Sequence, residues 1–145
     1  MTTMQDQNVG AAVTRHRKPR ITLSAQDYER LSILALAAKR KMPDLAAGLA
    51  DEIDRAQVVP RLEQPARCVS MGCDVVFRDD TTGKSRRVTL VYPDEADIAR
   101  HKVSVLTPIG TALIGLGVGH SIDWQTRSGE TRHLTVLEVH EPEPG

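Results

Sequence analysis

The sequence predicts an α+β fold: an antiparallel helical hairpin of short coiled-coil dimensions, followed by a small antiparallel sheet wrapped on one short helix. Three observations predict it. Apolar residues recur at intervals of three and four in two stretches separated by "KRKMPD", Lys39 to Asp44. Beyond Pro65 the runs "CDVVFRD" and "SRRVTLVYP" are strand-like and meet around Gly83. A compact apolar run, "PIGTALIGL", is bracketed by proline and glycine between two further strand-like segments.

Taken in order, residues 1–19 are polar and aperiodic, end in the basic cluster "RHRKPR" (Arg15 to Arg20), and read as a disordered tail. Residues 20–60 then form the hairpin. Ser24 is placed to cap the first helix, and Asp27, three residues on, completes a capping-box-like pair. Tyr28, Leu31, Ala35 and Ala38 make one apolar face, widened by Ile33, Leu34 and Leu36. Lys39, Arg40 and Lys41 gather where the carbonyl end of the helix is negative, and Pro43 stops it. Asp44 suits the first turn of a second helix with the stripe Leu45, Leu49, Ile53 and Ala56. Asp51, Glu52, Asp54 and Arg55 are expected to point away. So short a connection makes the helices antiparallel neighbours, each roughly 20–25 Å long at about 1.5 Å per residue.

Pro60 and Pro65 punctuate a linker over residues 61–66, after which residues 67–145 change periodicity. "CDVVFRD" and "SRRVTLVYP" form a hairpin turning at Gly83. "VSVL" is a short strand, Pro108 opens the short helix, and "SIDWQT" and "TRHLTVLEVHE" are strands joined at the "RSGE" turn. Leu134 and Val136 sit beside Leu137 and Val139, so alternation is only partial and the last strand is expected to bulge or to be covered on both sides.

Gly115, Gly117 and Gly119 follow that helix, in a run that resembles a phosphate-cradling loop. A cradle needs its glycines after a strand and before a helix, so that helix N-terminal amides face the phosphate. The order here is reversed, and no Lys-Ser or Lys-Thr pair follows. The glycines are helix stops.

Nineteen basic and nineteen acidic residues cancel, which argues against sequence-independent nucleic-acid binding as the principal activity. Four aromatic residues, Tyr28, Phe77, Tyr92 and Trp124, leave the core to Val, Leu, Ile and Ala. No apolar run is long enough for a secretory signal or a membrane span, and a cytoplasmic protein is expected. Cys68 and Cys73 are too few for a disulfide framework, and "CVSMGC" is wider than a zinc knuckle, so the thiols are read as structural or incidental and no metal or cofactor is expected.

The segments "ITLSAQDYERL", "ADEIDRAQVV", "VSMGCDVVFRD", "RRVTLVYP" and "VSVLTPIGTALIGLGVGHSIDW" resemble, in unbroken order from Arg20 to Val139, the regulators of nucleoside diphosphate kinase, relatives of the bacterial Gre transcript-cleavage factors. The resemblance implies an N-terminal coiled coil and a C-terminal domain of FKBP-like fold that docks on the rim of the RNA polymerase secondary channel. It assigns Leu106, Thr107, Pro108 and Ile109 as polymerase contacts. The residues themselves also admit another reading, in which Leu106 and Ile109 are core and Thr107 caps the helix opened by Pro108.

In Gre factors, acidic residues at the coiled-coil tip help hold a magnesium ion, chemistry that calls for hard oxygen ligands. The tip here, Lys39, Arg40, Lys41 and Asp44, has three cations and one carboxylate. The resemblance therefore implies a non-catalytic polymerase-binding regulator. Transcript-cleavage stimulation is the alternative. Prolyl isomerisation, which a FKBP-like fold also suggests, lacks an aromatic-lined pocket in a domain whose aromatics are scattered one per segment.

Overall fold

The computed structural model describes residues 20–60 and 67–141. The expected tail, residues 1–19, and the expected linker, residues 61–66, lie outside the described residues, as do residues 142–145.

Strand β1 (Thr22–Ser24) leads directly into helix α1 (Ala25–Ala38). Ser24 caps that helix, its Oγ accepting the Asp27 amide at 3.1 Å. Asp27 uses its own carboxylate at longer range, accepting the amide of Met71 at 3.2 Å and so tying the root of the helix to the loop before the sheet. Lys39 to Lys41 turn the chain, and Pro43 opens helix α2 (Pro43–Asp54) from its first position, where the missing N–H costs nothing. Leu31, Ala35 and Ala38 of α1 are buried, as are Ala46, Leu49 and Ile53 of α2.

Leu49 and Ile53 of the expected stripe are buried, and only its start differs, with Ala46 inside and Leu45 at the margin. Glu52 corrects the sequence reading more sharply: it is only 2% exposed. Helix α2 packs against the short helix Pro108–Leu113 as well as against α1, so it has more than one covered side and a position that would be solvated on an isolated hairpin is buried here. Arg55 accompanies it, with Nη2 2.5 Å from Glu52 Oε1, because a buried carboxylate is tolerated only when paired.

After α2 the strand β2 (Gln57–Val59) returns alongside β1 in parallel register, Thr22 opposite Gln57. Neither short strand is legible in the hydrophobic pattern, since three residues carry no periodicity.

The five-stranded sheet is built from β3 (Asp74–Asp79), β4 (Lys84–Val91), β5 (Lys102–Ser104), β6 (Ser121–Gln125) and β7 (Thr131–His140), in the order β5-β4-β3-β7-β6. Four of these strands pair antiparallel, turning at Gly83 (φ 79°) and Gly129 (φ 90°). The sheet is mixed rather than purely antiparallel, because β5 pairs parallel to β4. Two 3-10 turns, Pro93–Glu95 and Ile98–Arg100, carry the chain across and back, and a strand that returns by a crossover arrives in the same direction.

The expected irregularity in β7 is a bulge. Val76 faces Glu138 while Phe77 faces Val136, leaving Leu137 as the extra residue and switching the parity of the strand beyond it. Val75, Phe77, Val88, Leu90, Leu134 and Val136 enter a core that is continuous with Leu31, Leu49 and Ile53 of the hairpin. Each such side chain contributes about 1.5–3 kcal/mol relative to exposure.

A Cβ added at Gly48, inside α2, meets nothing within 4 Å. Gly48→Ala is therefore expected to raise stability by about 1 kcal/mol, through helix propensity alone. Gly115→Ala should do the opposite, lowering stability by about 2 kcal/mol or more, because its φ is 75° and its Cβ would stand 2.8 Å from Ile21 Cβ. Paired thermal or denaturant melts of the two variants check both signs.

Candidate functional site

Two regions hold the residues that the sequence marks for function, and they lie at different places on the fold. One is the turn between α1 and α2. Lys39, Arg40 and Lys41 are exposed there, as are Pro43 and Asp44, and Met42 is also open to solvent. The cations stand at the carbonyl end of α1 and Asp44 in the first turn of α2, each on the favourable end of a helix dipole. The turn has a net positive charge and a single carboxylate. No group of three or more His, Cys, Asp or Glu side chains among the described residues is arranged to hold a metal ion.

The other is the passage from β5 into helix α3 (Pro108–Leu113). Thr107 caps α3, its Oγ1 accepting the Gly110 amide at 3.0 Å while donating to the Ser104 carbonyl at 2.7 Å. Ser104 Oγ in turn accepts the Leu106 amide at 3.0 Å, and Thr111 Oγ1 donates to the Val105 carbonyl at 2.8 Å. The segment is held by its own side chains, so its shape does not await a partner.

Gly110 is obligatory within it. A Cβ there would lie 2.2 Å from the Ser104 carbonyl oxygen. Leu106, assigned as a contact by resemblance, is 4% exposed and belongs to the core cluster, whereas Thr107, Pro108 and Ile109 are partly exposed. The three that reach the surface are consecutive because α3 begins among them, and a short helix lying on a core keeps its first turn at the rim.

The structure adds features that the sequence reading missed. An open groove of about 520 Å³ runs between α1 and the 3-10 turn after β4, walled by Ile33, Leu34, Tyr92 and Pro93. Burial raises the Tyr92 phenol above its ordinary range. On the outer face of the sheet, Asp74 accepts from Thr89 Oγ1 at 2.7 Å and from Arg87 Nη2 at 2.9 Å. The Thr89 hydrogen bond, more than the Arg87 charge, holds its carboxyl below the ordinary value. His133 also pairs with Asp123 and Arg78 with Asp80, while Arg132 and Asp79, which share the strand parity of Leu134 and Phe77, pair at the end of the opposite face. Cys73 is buried with Sγ 2.9 Å from Ser70 Oγ, and burial pushes the Cys68 thiol up.

With this geometry in view, the matches to known proteins are coherent. The family described as "Transcription elongation factor, GreA/GreB, C-term" matches residues 64–141, and "Rnk N-terminus" matches residues 19–59. The regulator of nucleoside diphosphate kinase of Escherichia coli K12 is 39% identical over 127 residues, covering 87% of this chain and 93% of the relative. Transcription elongation factor GreA of Syntrophobacter fumaroxidans is 33% identical over 106 residues, 71% of this chain and 67% of its own. Among solved structures, the transcription elongation factor GreA/GreB from Nitrosomonas europaea superposes with a TM-score of 0.66 at 36% identity, covering 85% of this chain and 99% of that one. The chain belongs to the GreA/GreB-related transcription factors and, within them, to the Rnk family of nucleoside diphosphate kinase regulators.

Two measurements follow from the site. Leu106→Asp is expected to abolish the cooperative melt, whereas Ile109→Asp, at a half-buried position on the edge of the core, should lower stability by about 1–3 kcal/mol and leave the melt cooperative, and Thr107→Ala should cost about 1 kcal/mol through the lost cap. For Asp74, a depressed folded pKa means stability that is fully present above the ordinary Asp value of about 3.9 and is lost as pH falls through the folded value. Thr89→Val should therefore be less stable than the wild type at neutral pH. The gap should close in acid, as read from urea midpoints across the acid range.

Proposed function

We propose that this chain is a non-catalytic regulator that binds RNA polymerase at the rim of the secondary channel. The C-terminal part docks as an FKBP-like domain, and the helix hairpin enters as a short coiled-coil finger. The tip is the observation that carries this reading. Cleavage stimulation needs added carboxylates to hold a hard dication. Asp44 stands alone there among three cations, on helices of 14 and 12 residues that span roughly 18–21 Å at the helical rise. Such a finger occupies a channel without supplying a metal ligand set, and a cationic end repels Mg²⁺ at short range. Thr107, Pro108 and Ile109 offer the docking contact, with Leu106 supporting them from beneath. A cytoplasmic location accords with this role, and no helix among the described residues is long and apolar enough to cross a membrane.

The decisive experiment uses the full chain and core polymerase. Retention on immobilised polymerase is expected, reduced about tenfold by Ile109→Asp at a temperature where the variant is still folded, and competed by a Gre factor. Absence of retention sinks the polymerase reading, and retention indifferent to Ile109→Asp sinks the contact assignment. With a stalled, backtracked elongation complex carrying labelled RNA, the protein should yield no shortened 3′ products and should protect the RNA against an added Gre factor. Cleavage that disappears in Asp44→Asn would establish the opposite, catalytic role.

A further inference from the structure

The outer face of α1 carries a pattern that its own core does not require. Leu31, Ala35 and Ala38 face inward, and at about 100° per residue the line diametrically opposite passes through Glu29, Ile33, Leu36 and Arg40. Ile33 is 62% exposed and Leu36 73%, so two large aliphatic side chains stand in solvent one turn apart. Glu29 and Arg40 flank them, both exposed, and neither is engaged in an ion pair among the described residues. From Ile33 to Ala38 the helix has no polar side chain at all. A helix end that is apolar all round is normally covered.

The order along this line is acid, aliphatic, aliphatic, base, at spacings of four, three and four. That spacing is symmetric about a point between Leu34 and Ala35, so the line reversed is complementary to itself. We propose that two copies of this chain associate through this face, α1 lying antiparallel on α1 of the second copy. Ile33 of each copy then meets Leu36 of the other, and Glu29 of each meets Arg40 of the other.

Charge selects both the occupant and its direction. A parallel arrangement would stack Lys39, Arg40 and Lys41 on their counterparts, six cations together, whereas the antiparallel one separates the two cationic turns and sets Arg40 of each copy against Glu29 of the other. Ala37, exposed next to Leu36, allows the helices to approach closely. The contact is isologous: it closes on itself and yields a dimer rather than a chain. One helix pair about 21 Å long lies at the small end of specific interfaces, so the association is weak and concentration-dependent. A paired copy cannot present this face of α1 to anything else.

Sedimentation equilibrium of the full chain from about 5 µM to about 500 µM tests this directly. The average mass should climb from 15.9 kDa toward twice that value. Glu29→Arg and Arg40→Glu should each weaken association about tenfold or more, since each turns two attractions into repulsions. An equimolar mixture of the two variants should associate as the wild type does, because every facing pair is again opposite in charge, and the double variant should do likewise. Leu36→Gln, which removes apolar contact without touching charge, should weaken association with no loss in the thermal melt.

A wild type that stays at 15.9 kDa throughout overturns the proposal, as do swapped variants that dimerise unchanged or a mixture no better than its components. If the wild type stays monomeric while Ile33→Asp lowers retention on polymerase, the face belongs to the polymerase and the proposal also fails. These masses are measured without polymerase, so the outcome is independent of the reading under Proposed function.

Discussion

The structure depends on a stretch of backbone that is hydrogen-bonded on both sides, Gly115 to Val118. On one side the Gly115 amide donates to the Val69 carbonyl at 2.8 Å, the Val69 amide to Leu116 at 2.9 Å, and the Val118 amide to Arg67 at 2.8 Å. On the other, the Gly115 carbonyl accepts from Thr22 at 3.1 Å, at the start of the hairpin. Hairpin and sheet are therefore joined by main chain, which tolerates little displacement, as well as by apolar contact. Space is the condition. With a side chain at Gly115 the backbone could not approach Ile21, and its left-handed φ suits glycine alone among unstrained choices.

From that junction the position of both functional regions follows. Ile21 and Leu23 are fully buried beneath it, and the Gln57 amide donates to the Ile21 carbonyl, so the chain entering α1 and the chain leaving α2 are clamped together at the root of the hairpin. Helix α3 immediately precedes Gly115, and its packing on α2 and β6 leaves only its first turn at the surface. The first turn of α3 and the helix hairpin thus share a single core.

The same continuity accounts for the charges that behave unexpectedly. Glu52 is buried within α2, and its burial is tolerated because Arg55 lies one turn on. Elsewhere several acids and bases are matched along the sheet, whereas the hairpin turn is a place where cations stand without counter-charges among the described residues. Neutral overall composition hides this separation. The net positive field at Lys39 to Lys41 is a local property, set by where the helix ends.

Much of this was legible in the sequence for local reasons. Ser24, Pro43 and Pro108 act within one turn of themselves, through a cap or a missing N–H, and the elements they start are where they were expected. The strands around Gly83 and Gly129 declared themselves by alternation, and the mixed parity of β7 announced its bulge. The family was readable as well, because the segment from Lys102 to Trp124 combines several local devices in one order. Tertiary structure decided the rest. The parallel pairing of β1 with β2 and of β4 with β5, the burial of Glu52, and the withdrawal of Leu106 beneath Thr107 depend on which remote element lies across each of them. No periodicity in a single segment encodes its neighbour. Residue type and spacing determine which face a segment prefers to bury, but what covers that face is a property of the whole chain closing on itself.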